Sequence, residues 1–160
     1  MDAVAACREV LPCCGSPAWA DGLAARRPMG SVEELLAASD DVWWALPERE
    51  WHSAFDSHPR IGQQHAKAAT AESLKWSSEE QRAAMTPDER VKAALVEGNR
   101  RYEDRFGHIF IVCASGKSGA EILKILERRL GNPADVELRE AAEQQRQITE
   151  LRLRRWLEVE

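Results

Sequence analysis

Residues 51–62 read WHSAFDSHPRIG, a pattern typical of a helix that runs into a rigid turn. Trp51, Phe55 and His58 stand at i, i+4 and i+7, which predicts that they share one buried helix face. Pro59 disfavours helical geometry at the preceding residue, so the helix should break at His58. An imidazole at such a junction is held by the fold yet open to a ligand, and its ordinary pKa of ~6.5 suits proton transfer. The alternative is a core histidine with satisfied polar atoms.

The composition is that of a soluble globular protein, with 44% hydrophobic and 31% charged residues. A length of 160 residues predicts one domain spanning residues 1–160. The net charge of −5 gives no electrostatic reason to expect nucleic acid or an anionic membrane as a partner. The apolar runs are also far shorter than the ~20 residues of a spanning helix, so we expect no membrane partner.

Four cysteines occur, at positions 7, 13, 14 and 113, without a CxxC pair. Because Cys13 and Cys14 are adjacent, they suit neither a common disulfide nor a tetrahedral zinc site. We expect free thiols in a reducing cytoplasm, and the N-terminal residues lack the pattern of a signal peptide. No metal is therefore expected. The alternative is a metal site built from Cys13, Cys14 and the four histidines, which has no ligand spacing to support it.

Helix signals follow one another along the chain and predict an all-α fold, an irregular bundle of about seven to nine helices. In the first half they include a short amphipathic helix over residues 2–12, a capping box from Ser31 to Glu34, and Pro47 in the first turn of the next helix. In the second half, the polar, Ala-rich residues 63–76 predict a loop with about one helical turn. Further helices are predicted from Ser77 to about Met85, from Thr86 to Gly107, over 118–130 with Gly131 as the stop, and over about 134–157.

Residues 108–114 read HIFIVCA and form the one strand-like run in the sequence. One isolated strand cannot make a sheet, so we expect an extended, buried connector between helices. Its backbone N–H and C=O groups need hydrogen-bond partners, and a ligand could supply some of them.

Two charged residues are candidates for chemistry. Glu80 lies three residues after Ser77, and this spacing is that of a capping box, in which Glu80 has only a structural role. The free N–H groups at the start of a helix also attract anions or a urea-like carbonyl, so Glu80 could instead belong to a binding site. Arg152 continues an apolar stripe with Ile148 and Trp156, where an unpaired charge would be costly. Its guanidinium must reach solvent, bind a ligand or form an internal salt bridge, and the stripe alone slightly favours the salt bridge.

Residues 58–62, HPRIG, resemble the signature of the OHCU decarboxylases. These enzymes act on 2-oxo-4-hydroxy-4-carboxy-5-ureidoimidazoline (OHCU) in the oxidation of urate to allantoin. The similarity keeps its order over nearly the whole chain. The other matching segments are WAD at 19–21, RP at 27–28, SxxEQ at 77–81, Tyr102, RFG at 105–107, FIVCA at 110–114 and ITELRL at 148–153.

The resemblance implies residue roles. His58 would be the catalytic acid or base, Glu80 would orient it or bind the polar edge of the substrate, and Arg152 would hold a carboxylate or ring oxygen. The implied substrate-binding residues are Pro59, Ser77, Gln81 and the main chain of Phe110, Ile111, Val112, Cys113 and Ala114. The resemblance further implies (S)-allantoin as the product and a homodimer.

No cofactor is expected, because the C=N bond beside the carboxylate-bearing carbon of OHCU can accept the electron pair that decarboxylation releases. Two rival functions remain open. One is a helical protein-interaction module in which His58 and Arg152 are core residues. The other is a metal-dependent hydrolase of a related ureide.

Overall fold

The computed structural model describes residues 2–58 and 89–159, and in these two ranges every regular element is an α-helix. The predicted all-α class is confirmed, and the seven helices of these two ranges agree with the predicted number. The predicted loop at 63–76 and the helix starts at Ser77 and Thr86 lie outside the described residues. The helices are α1 (Ala3–Cys14), α2 (Pro17–Ala24), α3 (Val32–Ala45), α4 (Glu48–Asp56), α5 (Glu89–Phe106), α6 (Gly119–Arg129) and α7 (Ala134–Val159).

Local signals set the helix ends in the first half of the chain. Ser31 caps α3, its hydroxyl accepting the Glu34 backbone N–H at 3.1 Å. The Glu34 carboxylate accepts the Gly30 N–H at 2.7 Å, so the predicted capping box reaches one residue further toward the N-terminus. Pro47 was predicted in the first turn of α4 but is its N-cap, one residue earlier. The fixed φ of proline suits both positions.

A large apolar cluster joins α1, α2, α3, α4 and α7. It contains the buried residues Trp19, Trp43 and Trp51. The indole N–H groups in it are hydrogen-bonded: Trp43 donates to the Ala142 carbonyl and Trp51 donates to the Trp43 carbonyl, both at 3.0 Å. Trp19 donates to the Ser39 hydroxyl at 3.1 Å. These bonds let the indoles enter the core without leaving a polar atom unsatisfied.

A second apolar cluster lies between α5 and α6, and the segment 108–114 runs between the two clusters. This segment is extended and buried, which confirms the predicted connector. Ile109, Ile111 and Cys113 pack into the large cluster. The alternate residues Phe110, Val112 and Ala114 pack into the small one. Side chains of an extended chain point to opposite sides in turn, so each of residues 109–114 must be apolar to enter one cluster or the other. The described residues contain no strand with which this segment could pair.

A buried ion pair between Arg129 of α6 and Glu137 of α7 supports the connector. Arg129 also donates to the Ile111 carbonyl at 2.7 Å, and its guanidinium carbon lies 4.5 Å from the centre of the Phe110 ring. The Cys113 N–H donates to the Gln144 side-chain oxygen at 2.8 Å. The connector is therefore fixed by side chains of the last two helices.

The end of α1 packs directly against the end of α4. Gly15 ends α1 with φ +87°, a conformation that residues with a Cβ rarely adopt. A Cβ at this position would lie 2.3 Å from the Ser57 hydroxyl oxygen. Only glycine allows this approach, and it brings the C-terminal carbonyl groups of α1 beside the residues that follow α4.

None of the helices described above combines the length and apolar content that a membrane crossing requires. All four cysteines lie in the described ranges, and none of them forms a disulfide.

Candidate active site

His58 lies two residues after α4, as the sequence predicts, and its N–H donates to the Phe55 carbonyl at 3.1 Å. Trp51, Phe55 and His58 are all buried, which confirms that they share one apolar face. His58 as a whole residue retains 8% exposure. Its Nε2 lies 2.6 Å from Oε1 of Gln145, which belongs to α7. The histidine thus sits where α4 ends and α7 passes.

Behind Gln145 lies a set of buried polar side chains. The Gln145 side-chain nitrogen donates to the Thr149 hydroxyl, one helical turn further along α7, at 3.0 Å. The Thr149 hydroxyl is hydrogen-bonded in turn with the thiol of Cys14 at the end of α1. Burial raises the pKa of the Cys14 thiol to about 12, so it is protonated at neutral pH. The group behind His58 is therefore uncharged.

Arg152 is completely buried one helical turn beyond Ile148, as its place on the α7 stripe predicts. Its Nη1 donates to the Pro12 carbonyl at 3.4 Å, near the C-terminal end of α1. Helix C-termini carry partial negative charge, so this is a favourable place for a guanidinium. The two roles predicted for the Arg152 guanidinium, ligand binding and an internal salt bridge, both stay predictions.

Arg152 and burial together control the protonation of His58. Burial disfavours the imidazolium most, the Arg152 charge disfavours it further, and the bond to Gln145 favours it weakly. The result is a pKa of about 3, so the His58 imidazole is neutral at neutral pH. A bound anion at Arg152 would offset the guanidinium charge and raise this pKa. Anion binding at Arg152 would therefore favour proton uptake by His58 in such an arrangement.

Two neighbouring residues of α7 contact the two described parts of the predicted site, His58 and the connector 108–114. Gln145 contacts His58, while Gln144 accepts the Cys113 N–H of the connector. The Cys113 carbonyl accepts a bond from the Lys117 ammonium at 2.9 Å. Substrate binding by the main chain of residues 110–114 stays a prediction. Pro59, Ser77, Glu80 and Gln81 were also predicted for this site, and they lie outside the described residues.

The sequence indicated only part of this cluster. Gln145 precedes Arg152 by seven residues, two helical turns, and therefore lies on the same face of α7. An amide on an apolar face is the signal that could have marked it as a partner. Nothing in the local pattern pointed to Cys14 or Thr149. In the ranges 2–58 and 89–159, histidine, cysteine, aspartate and glutamate nowhere gather in a group of three that could hold a metal ion.

A neutral imidazole and a buried guanidinium inside a helical bundle define a candidate acid–base enzyme for an anionic substrate. Comparison with known protein families identifies the family to which the chain belongs. The sequence model of the OHCU decarboxylase family matches residues 1–154, and the chain belongs to that family.

The chain is similar to several characterised proteins. It is 37% identical to the uric acid degradation bifunctional protein TTL of Arabidopsis thaliana, over 88% of this chain and 44% of that protein. It therefore spans less than half of that relative. It is 32% identical to the 2-oxo-4-hydroxy-4-carboxy-5-ureidoimidazoline decarboxylase of Amia calva, over 79% of this chain and 73% of that protein.

Solved structures share the fold. A crystal structure of an OHCU decarboxylase in the presence of (S)-allantoin superposes with a TM-score of 0.77 and 34% identity, covering 90% of this chain and 93% of that one. A structure of (S)-allantoin synthase superposes with a TM-score of 0.68, covering 98% of this chain and 50% of that one. At 17% identity, the second match supports the fold alone.

Proposed function

We propose that this protein decarboxylates OHCU to (S)-allantoin during urate breakdown. The observation that carries the proposal is the buried association of His58, Gln145 and Arg152 where α1, α4 and α7 meet, in a chain of the OHCU decarboxylase family. A neutral imidazole can carry a proton, and a buried guanidinium can hold an anionic substrate.

The reaction needs an electron sink and one stereospecific proton transfer. When the C4–carboxylate bond of OHCU breaks, its electron pair forms a C4=C5 double bond, and the electrons of the neighbouring C=N bond move to nitrogen, which takes a proton. The resulting enol loses its hydroxyl proton as the C4 carbonyl forms, while C5 accepts a proton on one face. The products are CO₂ and one allantoin enantiomer, so the substrate itself supplies the sink and no organic cofactor is required.

Arg152 would bind the substrate carboxylate or ring oxygen through two parallel N–H bonds. Its charge would then be offset, and the His58 pKa would rise from about 3 toward the range in which imidazole exchanges protons readily. A well-placed acid or base contributes ~10²–10⁴ in rate, and fixed orientation of the substrate contributes the rest. His58 would carry the proton delivered to C5.

The remaining predicted residues complete this proposal. Glu80 would orient His58 or bind the polar edge of OHCU. Pro59, Ser77 and Gln81 would line the site, together with the main chain of residues 110–114. The support for these roles is the resemblance of the HPRIG and SxxEQ segments to the family, and the attachment of the connector to α7 beside Gln145.

We further propose that residues 1–160 form one domain, that the protein is a homodimer, and that it works in the cytoplasm. The continuous match over residues 1–154 supports one domain, and the family resemblance supports the dimer. Thiols without disulfides suit a reducing compartment. The net charge of −5 gives neither nucleic acid nor an anionic membrane an electrostatic reason to bind.

A coupled assay tests the proposed function. Urate is oxidised by the enzymes that act before this step, the purified protein is added, and circular dichroism follows the formation of allantoin. We expect the signal of (S)-allantoin to develop faster than in the spontaneous reaction, which gives racemic product. An unchanged rate and a racemic product would refute the proposal and favour a protein-interaction module.

A further inference from the structure

Gln145 is a buried amide whose two ends are both engaged. Its oxygen lies 2.6 Å from His58 Nε2, and its nitrogen donates to the Thr149 hydroxyl at 3.0 Å. Gln145 has no exposed surface, so an unsatisfied amide group there would be costly. In this orientation the amide presents its acceptor to His58, and a rotation by half a turn would present its donor instead.

This orientation decides where the imidazole carries its proton. A carbonyl oxygen can only accept, so His58 Nε2 must be the nitrogen that bears the hydrogen. Neutral imidazole has one N–H and one lone pair, so the lone pair is on Nδ1. Thr149 and the protonated thiol of Cys14 complete a neutral chain behind the ring.

We propose that Gln145 is a positioning residue that holds His58 in the Nε2–H tautomer and so reserves Nδ1 for the proton of the reaction. The role of Nδ1 rests on the proposed function, whereas the tautomer does not. A carboxylate in place of Gln145 would also fix the ring, but it would stabilise the imidazolium and hinder release of the proton to carbon. A neutral acceptor fixes the tautomer without this penalty.

The charges around the ring agree with this role. Among residues 2–58 and 89–159, Arg152 of α7 is a charged side chain that acts on His58, and Cys14 of α1 belongs to the neutral chain behind it. Glu80, the predicted acidic neighbour, lies outside the described residues. A negative charge at position 145 would therefore lie next to the imidazole and would oppose the effect of the Arg152 charge on the His58 pKa.

Three variants separate positioning from packing. Gln145→Glu keeps the shape and adds a charge, Gln145→Met keeps most of the volume and removes the acceptor, and Thr149→Val removes the group that orients the amide. Gln147→Glu is the control, because it adds the same charge to α7 at a partly exposed position. Melting temperatures report which variants keep the fold.

Nitrogen NMR of histidine-labelled protein reads the tautomer directly, with the His58 signals assigned by their loss in His58→Asn. We expect protonated Nε2 and unprotonated Nδ1 in the parent at neutral pH. Gln145→Glu should raise the His58 pKa by about 1–3 units and shift the acidic limb of the kcat/KM pH profile, whereas Gln147→Glu should move neither. Gln145→Met and Thr149→Val should populate both tautomers and lower kcat by ~10-fold or more, with a smaller change in KM.

The outcomes that overturn the inference are distinct from those that overturn the function. A parent His58 protonated on Nδ1 would show that Gln145 presents its nitrogen, and would refute the proposal even if every variant failed to fold. An unchanged His58 pKa in Gln145→Glu would refute it as well. If the parent has the expected tautomer but does not accelerate OHCU decarboxylation, the tautomer assignment holds and the proposed function fails.

Discussion

Replacing Arg152 distinguishes its two possible roles, substrate binding and internal ion pairing. Arg152→Lys keeps the positive charge but loses the planar fork that binds a carboxylate through two parallel bonds. Arg152→Met removes the charge and fills a similar volume in the core. Arg154, half exposed on the same helix, provides matched control variants with Lys and Met.

The expected magnitudes follow from the burial of Arg152. A hydrogen bond to a charged group contributes about 1.5–3 kcal/mol, so loss of one such bond in Arg152→Lys should lower kcat/KM by roughly 10–150-fold. If Arg152 instead neutralises a buried carboxylate, Arg152→Met leaves that group unpaired at a cost of about 3–5 kcal/mol. For a protein of this size each kcal/mol moves the melting temperature by ~2–4 °C, which gives a fall of roughly 6–20 °C.

Turnover followed by circular dichroism and melting temperature are measured on the same preparations. If Arg152 binds substrate, we expect Arg152→Lys to lose activity with little change in melting temperature. Arg152→Met should then be inactive and about as stable as the parent, and the His58 pKa should rise because the guanidinium no longer depresses it. Near-parent turnover of Arg152→Lys, or a large fall in melting temperature with activity retained, would refute the substrate-binding role.

Three further predictions concern other parts of the account. Glu80→Gln keeps the side-chain shape that the predicted capping box needs but removes the charge, so we expect little change in stability and a large fall in rate; a fully active variant would reduce Glu80 to a helix cap. Activity should survive dialysis against a strong chelator, and a loss that added zinc restores would favour a metal-dependent hydrolase. Gly15→Ala places a Cβ 2.3 Å from the Ser57 hydroxyl at φ +87° and should cost about 1–3 kcal/mol in urea unfolding; an unchanged midpoint would show that α1 and α4 can separate freely there.

Features carried by local periodicity could be predicted from the sequence. The spacing of Trp51, Phe55 and His58 correctly placed the histidine on the buried face at the end of α4. The apolar run 108–114 predicted a buried, extended connector, because alternate side chains must enter two cores. Positional errors were small: Pro47 caps α4 instead of standing in its first turn.

Contacts that depend on how distant helices cross could not be predicted in the same way. Gln145 is 87 residues from His58 along the chain, and helical periodicity says that it is buried but not which side chain it meets. The ion pair of Arg129 with Glu137 likewise depends on the angle between α6 and α7. Local patterns therefore gave His58 and Arg152 as candidates, while the tertiary structure supplied the groups that these two side chains contact.

The central claim is that His58 carries the proton that makes allantoin a single enantiomer. Its most direct test is the rate and circular dichroism of allantoin formation with His58→Asn, which keeps a polar side chain beside Gln145. We expect the helical content of the parent and a product formed at nearly the spontaneous rate, without optical activity. A variant that forms (S)-allantoin within about threefold of the parent rate would contradict the claim, because a proton carrier contributes ~10²–10⁴.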